Sequence, residues 1–275
     1  MDADDQRATR FATIGDQRIH YEESGPEDAP ALLFSHGLFL DRRMFAPQVA
    51  AFSERYRCIA WDQRGHGLTG EATGPFTFWD AADDAVGLLH SLGLDRAVHV
   101  GLSQGGFVAL RVALRRPDAV RGLVLIDTLA RPDPADNVAG YEFVMKVWER
   151  HGMVPDLADG LAEQLLGADF DDAALWKETW SKMRPEPFRH CVQAVLDRDD
   201  LVDRLGELDV PALVIHGEAD AGIPADEGRA LADALGAEFV LVPGGAHVCS
   251  LTDPAPVNAA IERFLASLDA RVAST

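Results

Sequence analysis

Apolar residues in this chain fall into short runs separated by longer stretches with helical spacing. An alternating pattern on either side of Gly15-Asp16 predicts an opening β-hairpin of residues 11–14 and 18–22. Short apolar or β-prone runs predict six further strands, at residues 31–35, 57–62, 96–100, 120–127, 212–215 and 238–242. Helical spacing predicts helices at residues 44–52, 79–92, 106–114, 225–235 and 255–268. Strands that alternate with helices indicate an α/β fold with a mostly parallel sheet.

This alternation is interrupted between the strands at residues 120–127 and 212–215. A crossover between parallel strands needs only a dozen or more residues, and this gap is far longer. Its content is helical, with predicted helices at residues 138–150, 157–166, 172–183 and 187–196. We therefore expect an α/β core of residues 1–130 and 206–275, with residues 131–205 inserted as a helical cap. Residues 269–275 are expected to be frayed.

The pentapeptide Gly101-Leu102-Ser103-Gln104-Gly105 lies between a predicted strand and a predicted helix. In that context a G-x-S-x-G sequence is typical of a sharp turn, called a nucleophile elbow, that presents the serine hydroxyl. The glycines leave space for a turn that a Cβ would crowd. Ser103 is therefore the candidate nucleophile.

A serine nucleophile needs a base, and the base needs an acid to orient it. In a sheet of this type the chain order is Ser, then Asp or Glu, then His. Asp220 follows the strand that ends at Ile215, and His247 follows the strand that ends at Val242. We therefore predict a triad of Ser103, His247 and Asp220, with Asp127 as the alternative acid.

The oxyanion of the reaction would need two N–H donors. We expect the backbone N–H of Gln104 to supply one and that of Leu38, in the His36-Gly37-Leu38-Phe39 loop, to supply the other. Phe39 beside this loop is a candidate for substrate contact. Aromatic residues of the cap could line an apolar pocket or could form the cap's own core. They are Tyr141, Phe143, Trp148, Trp176, Trp180 and Phe188.

Charge and cysteine content narrow the choice of partners. The chain has 45 acidic against 25 basic residues, a formal net charge of −20, which disfavours nucleic acid and anionic membrane surfaces as partners.

Three widely spaced cysteines, Cys58, Cys191 and Cys249, favour a reducing cytoplasm over a disulfide framework. The acidic start at residues 1–5 lacks a signal-peptide pattern, and no apolar stretch is long enough to span a membrane. The chain could be a monomer or a homodimer.

Residues 65–70 match the dinucleotide-binding pattern G-x-G-x-x-G. That pattern requires a helix to begin on it, whereas Glu71-Ala72-Thr73-Gly74-Pro75 follows and cannot continue a helix. No histidine pair has the spacing of a zinc site, and no P-loop is present. We therefore expect no cofactor and no metal.

Taken together, the motifs of this chain resemble those of the α/β-hydrolase fold superfamily. The resemblance covers residues 18–265 except for the cap. It rests on His36-Gly37-Leu38, Asp62-Gln63-Arg64-Gly65-His66-Gly67, the glycine-rich segment 101–106, Gly217-Glu218-Ala219-Asp220 and Gly245-Ala246-His247. It implies an eight-stranded, mostly parallel sheet with helices on both faces.

Within that superfamily the segment 101–106 looks most like the 3-oxoadipate enol-lactonase and small-esterase branch. The resemblance implies hydrolysis of a carboxylic ester or lactone through an acyl-serine intermediate. Serine at the elbow argues against epoxide hydrolases and haloalkane dehalogenases, which have aspartate there. A cofactor-free haloperoxidase or perhydrolase, a C–C bond hydrolase and a non-catalytic ligand receptor remain alternatives, since all share this site.

Overall fold

Eight strands form a single, mostly parallel sheet. The structure, a computed structural model, describes residues 9–168 and 170–273. The strand order is β1-β2-β4-β3-β5-β6-β7-β8. The β1–β2 and β2–β4 pairs are antiparallel and the other pairs are parallel. The strands are β1 Arg10–Ile14, β2 Gln17–Ser24, β3 Ala31–Ser35, β4 Arg57–Trp61, β5 Ala97–Leu102, β6 Val120–Ile126, β7 Ala212–Gly217 and β8 Glu238–Val242.

Ten α-helices accompany the sheet in the described part of the chain. They are α1 Ala46–Phe52, α2 Phe78–Ser91, α3 Gln104–Arg115, α4 Ala135–His151, α5 Pro155–Leu166, α6 Ala173–Ser181, α7 Pro185–Leu196, α8 Ala225–Leu235, α9 Cys249–Thr252 and α10 Pro254–Ala273. The crossover through α1 runs across the sheet in the opposite direction to those through α2, α3 and α8. Because such crossovers are right-handed, α1 lies on the opposite face from these three helices. The observed contacts of α1 with α10, and of α2 with α3, agree.

The central strands are buried along their whole length. Every residue of β3, β4 and β5 is buried, as expected for parallel strands covered by helices on both faces. The predicted α/β class and eight-stranded sheet are therefore confirmed. Among the described residues, no helix combines the length and the apolar composition needed to cross a bilayer.

The long interval between β6 and β7 contains helices α4 to α7. At its ends, the Arg198 guanidinium donates to the Asp133 carboxylate (Nη1 to Oδ2, 2.5 Å) and to the Arg131 carbonyl (2.9 Å). Both side chains of the ion pair are almost fully buried. This pair joins the segment that enters α4 to the segment that leaves α7.

The end of the chain differs from the sequence prediction. Residues expected to be frayed continue α10 as far as Ala273. Asp269 on this helix accepts hydrogen bonds from the Tyr56 hydroxyl (2.7 Å) and from Arg121 (2.5 Å). These tertiary contacts anchor α10 at Asp269, which the local sequence could not indicate. The remaining residues 274–275, like the acidic start at residues 1–5, lie outside the described residues.

The Asp62–Gly70 segment forms turns that brace the loops next to the sheet. Buried Asp62 accepts the backbone N–H groups of Arg42 and Leu68, both at 2.9 Å. The next helix, α2, begins only at Phe78, with Thr77 as its N-cap. As expected from the sequence, no helix begins on the G-x-G-x-x-G match at residues 65–70.

Candidate active site

Ser103 lies on a strained turn between β5 and α3. Its φ of 52° and ψ of −115° are conformations that a residue with a Cβ rarely adopts. The turn is possible because its glycines allow close backbone approach. A Cβ on Gly105 would lie 1.9 Å from the Ser35 carbonyl oxygen, and a Cβ on Gly101 would lie 2.3 Å from the Gly105 oxygen.

Backbone strain in the described residues is concentrated at one edge of the sheet. Three non-glycine residues have a positive φ: Phe39 (65°), Ser103 (52°) and Asp127 (45°). They follow β3, β5 and β6, three adjacent parallel strands. Strained residues cluster at active and binding sites, and open α/β sheets bind ligands beyond the carboxyl ends of their strands. Both observations therefore indicate a functional site at this edge.

His247 and Asp220 meet at the same edge, on the loops that follow β8 and β7. The His247 Nδ1–H donates to Asp220 Oδ2 at 2.7 Å. The other Asp220 oxygen accepts the backbone N–H groups of Gly222 (2.8 Å) and Ile223 (2.9 Å). This arrangement fixes the carboxylate and leaves Nε2 of His247 as the ring nitrogen available for proton transfer.

The electrostatics of this pair favour an ionised carboxylate beside a basic imidazole. Burial alone would lower the pKa of His247, but the charge and hydrogen bond of Asp220, with smaller contributions from Asp127 and Asp133, raise it above 6.5. Burial alone would raise the pKa of Asp220. The charge of His247 and hydrogen bonds from His216, His247 and Ile223 instead lower it well below 3.8.

Asp127, the alternative acid, has other partners. Its Oδ1 accepts the Gly217 N–H at 2.7 Å, and its Oδ2 accepts the Cys249 S–H at 3.0 Å. Among the described residues, no hydrogen bond or ion pair joins it to His247. Burial and the nearby Asp220 charge raise the pKa of Asp127 to about 6, so a negative charge resides on Asp220 first. Asp127 therefore ties the end of β7 to α9, just beyond His247.

His216 completes a buried cluster behind these carboxylates. Its Nε2 donates to the Ile223 carbonyl at 2.8 Å and lies 3.3 Å from Asp220 and 3.8 Å from Asp127. Three such side chains close together could in principle hold a cation. Here each already has protein hydrogen-bond partners, so we interpret the cluster as support for the Asp220 loop.

The two backbone amides predicted to bind an oxyanion are free to do so. Within the described part of the chain, neither the Leu38 N–H nor the Gln104 N–H has a hydrogen-bond acceptor. The Gln104 amide is at the N-terminus of α3, where the helix dipole also favours negative charge. Unpaired buried amides are rare and need a partner. Leu38 also lines the cavity onto which Ser103 opens.

Ser103 and His247 open onto one cavity of about 260 Å³. Leu38 and Phe39, after β3, line it together with residues of α4 and α5. The Asp220 loop contributes Gly222 and Ile223. The volume is just below the usual range for small-molecule sites, about 300–1,000 Å³, so the cavity suits a small substrate.

The structure divides the predicted substrate-contact residues into two groups. Phe39, Tyr141 and Phe143 line the cavity. The others, Trp148, Trp176, Trp180 and Phe188, are not in its walls and are almost fully buried. Phe188 packs against Phe39 with 4.8 Å between ring centroids, and the Trp180 indole N–H donates to the Phe39 carbonyl at 2.6 Å. Trp148, Trp180 and Phe188 therefore support the cavity wall through their contacts with Phe39.

Several polar residues of the cavity are absent from the sequence prediction. Asp136, Asn137 and Gln164 line it, and the Asn137 amide donates to the Gly222 carbonyl at 3.1 Å. A signal was present in the sequence. Asn137, Tyr141 and Val144 have the spacing i, i+4, i+7 that places residues on one face of a helix, here the cavity face of α4.

Comparison with known proteins agrees with this description. Residues 30–254 match the family model for the α/β hydrolase fold. A protein of Rhizobium rhizogenes, provisionally named carbamate hydrolase RutD, is 30% identical over 265 residues, which cover 90% of this chain and 97% of the relative.

Two solved structures are also similar. The enol-lactonase of Burkholderia xenovorans LB400 has a TM-score of 0.85 and 29% identity, covering 94% of this chain and 100% of the other. A thermophilic esterase of Thermogutta terrifontis has a TM-score of 0.84 and 30% identity, covering 94% and 96% respectively. Relatives with these names support a hydrolase activity. This chain therefore belongs to the α/β hydrolase fold family.

Proposed function

We propose that this protein is a serine hydrolase that cleaves a small carboxylic ester or lactone through an acyl-serine intermediate. One observation carries the proposal above the others. The strained Ser103 shares a cavity with His247 and with Leu38, whose amide, like that of Gln104 next to Ser103, has no acceptor in the described chain. A nucleophile, a base and unpaired N–H donors at one site are the parts that acyl transfer needs.

The proposed reaction has two halves. The Ser103 Oγ attacks the carbonyl carbon while His247 Nε2 takes its proton, and the Leu38 and Gln104 amides bind the oxyanion. The C–O bond to the leaving group then breaks, and His247 gives the proton to the departing oxygen. In the second half, His247 Nε2 takes a proton from water, which attacks the acyl carbon. The bond from that carbon to Ser103 Oγ then breaks, and His247 returns the proton to Oγ, which releases the acid and free Ser103.

Asp220 has a positioning role in this mechanism. Its carboxylate holds the Nδ1–H tautomer of His247 and stabilises the imidazolium that forms in each half. We assign this role to Asp220 over Asp127 because Asp220 is the carboxylate hydrogen-bonded to His247. Residues 131–205, with α4 and α5 forming one wall of the cavity, would act as the cap that sets substrate choice.

The named relatives support the choice of substrate class. One is an enol-lactonase, one an esterase and one carries a carbamate hydrolase name. A lactone, an ester and a carbamate all present a carbonyl bonded to a heteroatom leaving group. We therefore place the substrate of this chain in the ester and lactone class and expect it to react by acyl transfer.

The first test is hydrolysis of p-nitrophenyl esters by the wild type and by Ser103→Ala. Removing the nucleophile should lower kcat about 10⁴-fold or more, with the thermal unfolding profile retained. Ser250→Ala is the matched control, since Ser250 is also a buried serine close to His247 in the chain, and its hydroxyl has no partner among the described residues. It should retain wild-type turnover. Ester hydrolysis that survives in Ser103→Ala would refute the mechanism, and tight ligand binding without turnover would favour a receptor.

A further inference from the structure

A second cavity lies beside the catalytic one, along α4 and α5, and has a volume of about 490 Å³. The two cavities have four wall residues in common, Phe143, Val144, Leu161 and Gln164. The two cavities therefore adjoin along α4 and α5. We call the second cavity the α4–α5 groove.

The walls of the α4–α5 groove are mainly apolar and remain accessible. Val147, Val154 and Leu157 line it and are half-buried. Phe143, on the boundary between the two cavities, is 65% exposed. An accessible apolar surface next to a binding cavity is typical of a site for an apolar ligand.

The charges of both cavities disfavour an anionic ligand. Among the described residues that line the two cavities there is no lysine or arginine, and the one basic side chain is His247 of the catalytic cavity. Each cavity instead has one aspartate in its wall, Asp136 in the catalytic cavity and Asp156 in the groove. With a formal net charge of −20, the rest of the protein adds to the repulsion of a carboxylate.

We propose that the α4–α5 groove is a second substrate subsite, which takes an uncharged apolar arm of the molecule whose carbonyl is attacked by Ser103. The proposal rests on the proposed function and narrows its substrate class. Preferred substrates are neutral esters or lactones with an arm too long for the 260 Å³ catalytic cavity. Esters or lactones that end in a carboxylate are poor substrates because no cationic side chain to pair with it is among the described residues that line the groove.

Gly160 is a suitable position for a substitution that fills the groove. It lies within α5 and lines the groove, and a Cβ built on it meets nothing within 4 Å. Gly160→Leu therefore adds at the groove a side chain whose Cβ meets no neighbouring atom, and it replaces a poor helix former with a good one. Gly206→Leu is the matched control, since Gly206 also has open space around its Cβ and lines neither cavity.

The kinetic test compares p-nitrophenyl acetate with p-nitrophenyl octanoate. In Gly160→Leu the octanoate-to-acetate ratio of kcat/KM should fall tenfold or more relative to the wild type and to Gly206→Leu. The wild type should also prefer p-nitrophenyl octanoate to the mono-p-nitrophenyl ester of suberic acid by at least tenfold. Added salt should narrow that gap, because it screens the repulsion. An unchanged ratio in Gly160→Leu, or equal turnover of the neutral and anionic esters, would overturn the subsite.

A binding measurement decides the subsite independently of catalysis. In calorimetric titrations, 1-octanol should bind the wild type and bind Gly160→Leu at least tenfold more weakly, and octanoate should bind both poorly. Equal octanol affinity in the two proteins would refute the subsite even where esters are cleaved. If the wild type cleaves no ester but Gly160→Leu still weakens octanol binding, the proposed function fails and the subsite stands.

Discussion

Replacing Asp220 with asparagine tests the assignment of the triad acid most directly. The change keeps the size of the side chain, and an oxygen at Oδ1 would still accept the Gly222 and Ile223 N–H groups. The amide nitrogen would then face His247 Nδ1, which at present donates at 2.7 Å. Two donors cannot pair, so the imidazole would have to place its proton on Nε2.

The expected loss of kcat follows from this change of tautomer. With its proton on Nε2, His247 cannot accept the proton of Ser103, and its imidazolium loses the buried countercharge. Loss of the acid in a comparable triad lowers kcat about 10⁴-fold, which corresponds to about 5 kcal/mol of transition-state stabilisation. We expect a loss of about 10³- to 10⁴-fold in kcat for Asp220→Asn.

The pH profile gives a second readout with a definite sign. His247 must be neutral to act as a base, so kcat/KM should fall as the pH drops through its pKa, which Asp220 holds above 6.5. Without the carboxylate charge, burial remains the largest effect and lowers the pKa of His247. The acid limb of Asp220→Asn should therefore move to lower pH than in the wild type.

Asp127→Asn is the matched control for this experiment. It neutralises a carboxylate of the same buried cluster. The Asp127 carboxylate contacts Gly217 and Cys249 and has no hydrogen bond to His247. The substitution should lower kcat less than tenfold and move the acid limb to lower pH by less than Asp220→Asn does, because Asp127 contributes less than Asp220 to raising the pKa of His247. Kinetics from pH 5 to 9 on a p-nitrophenyl ester would measure both effects. The reverse order, with Asp127→Asn inactive and Asp220→Asn near wild type, would make Asp127 the acid.

Two further predictions concern the backbone around the site. Gly105→Ala brings a Cβ to 1.9 Å from the Ser35 carbonyl oxygen, so it should destabilise the fold by about 3 kcal/mol in urea unfolding, whereas Gly160→Ala should not destabilise it. A stable Gly105→Ala would show that the elbow can relax. Trp180→Phe removes the donor to the Phe39 carbonyl, so it should cost about 1–3 kcal/mol and lower kcat, because Leu38 precedes Phe39 in the oxyanion loop. Unaltered stability and kcat would show that this hydrogen bond does not support the site.

Local patterns in the sequence were sufficient for the sheet and for the candidate chemistry. Short apolar runs and alternating patterns depend only on residues that are close in the sequence, so every strand of the sheet was predicted from them. Glycine at positions 101 and 105 is a local requirement of the elbow, which is why the turn at Ser103 could be placed. The roles of Ser103, His247 and Asp220 stay predictions that the variants above will test.

Tertiary structure decided which residues meet across long sequence distances. The sequence left Asp127 and Asp220 as alternatives, because hydrogen bonds such as that from His247 depend on how two loops converge. It likewise could not separate Tyr141, which lines the cavity, from Trp180, which is buried behind it. Apolar residues on a helix favour burial against any apolar partner, since hydrophobic attraction has no direction. Packing of α4 to α7 on the core selects the partner, and it therefore shapes the cavity and the groove.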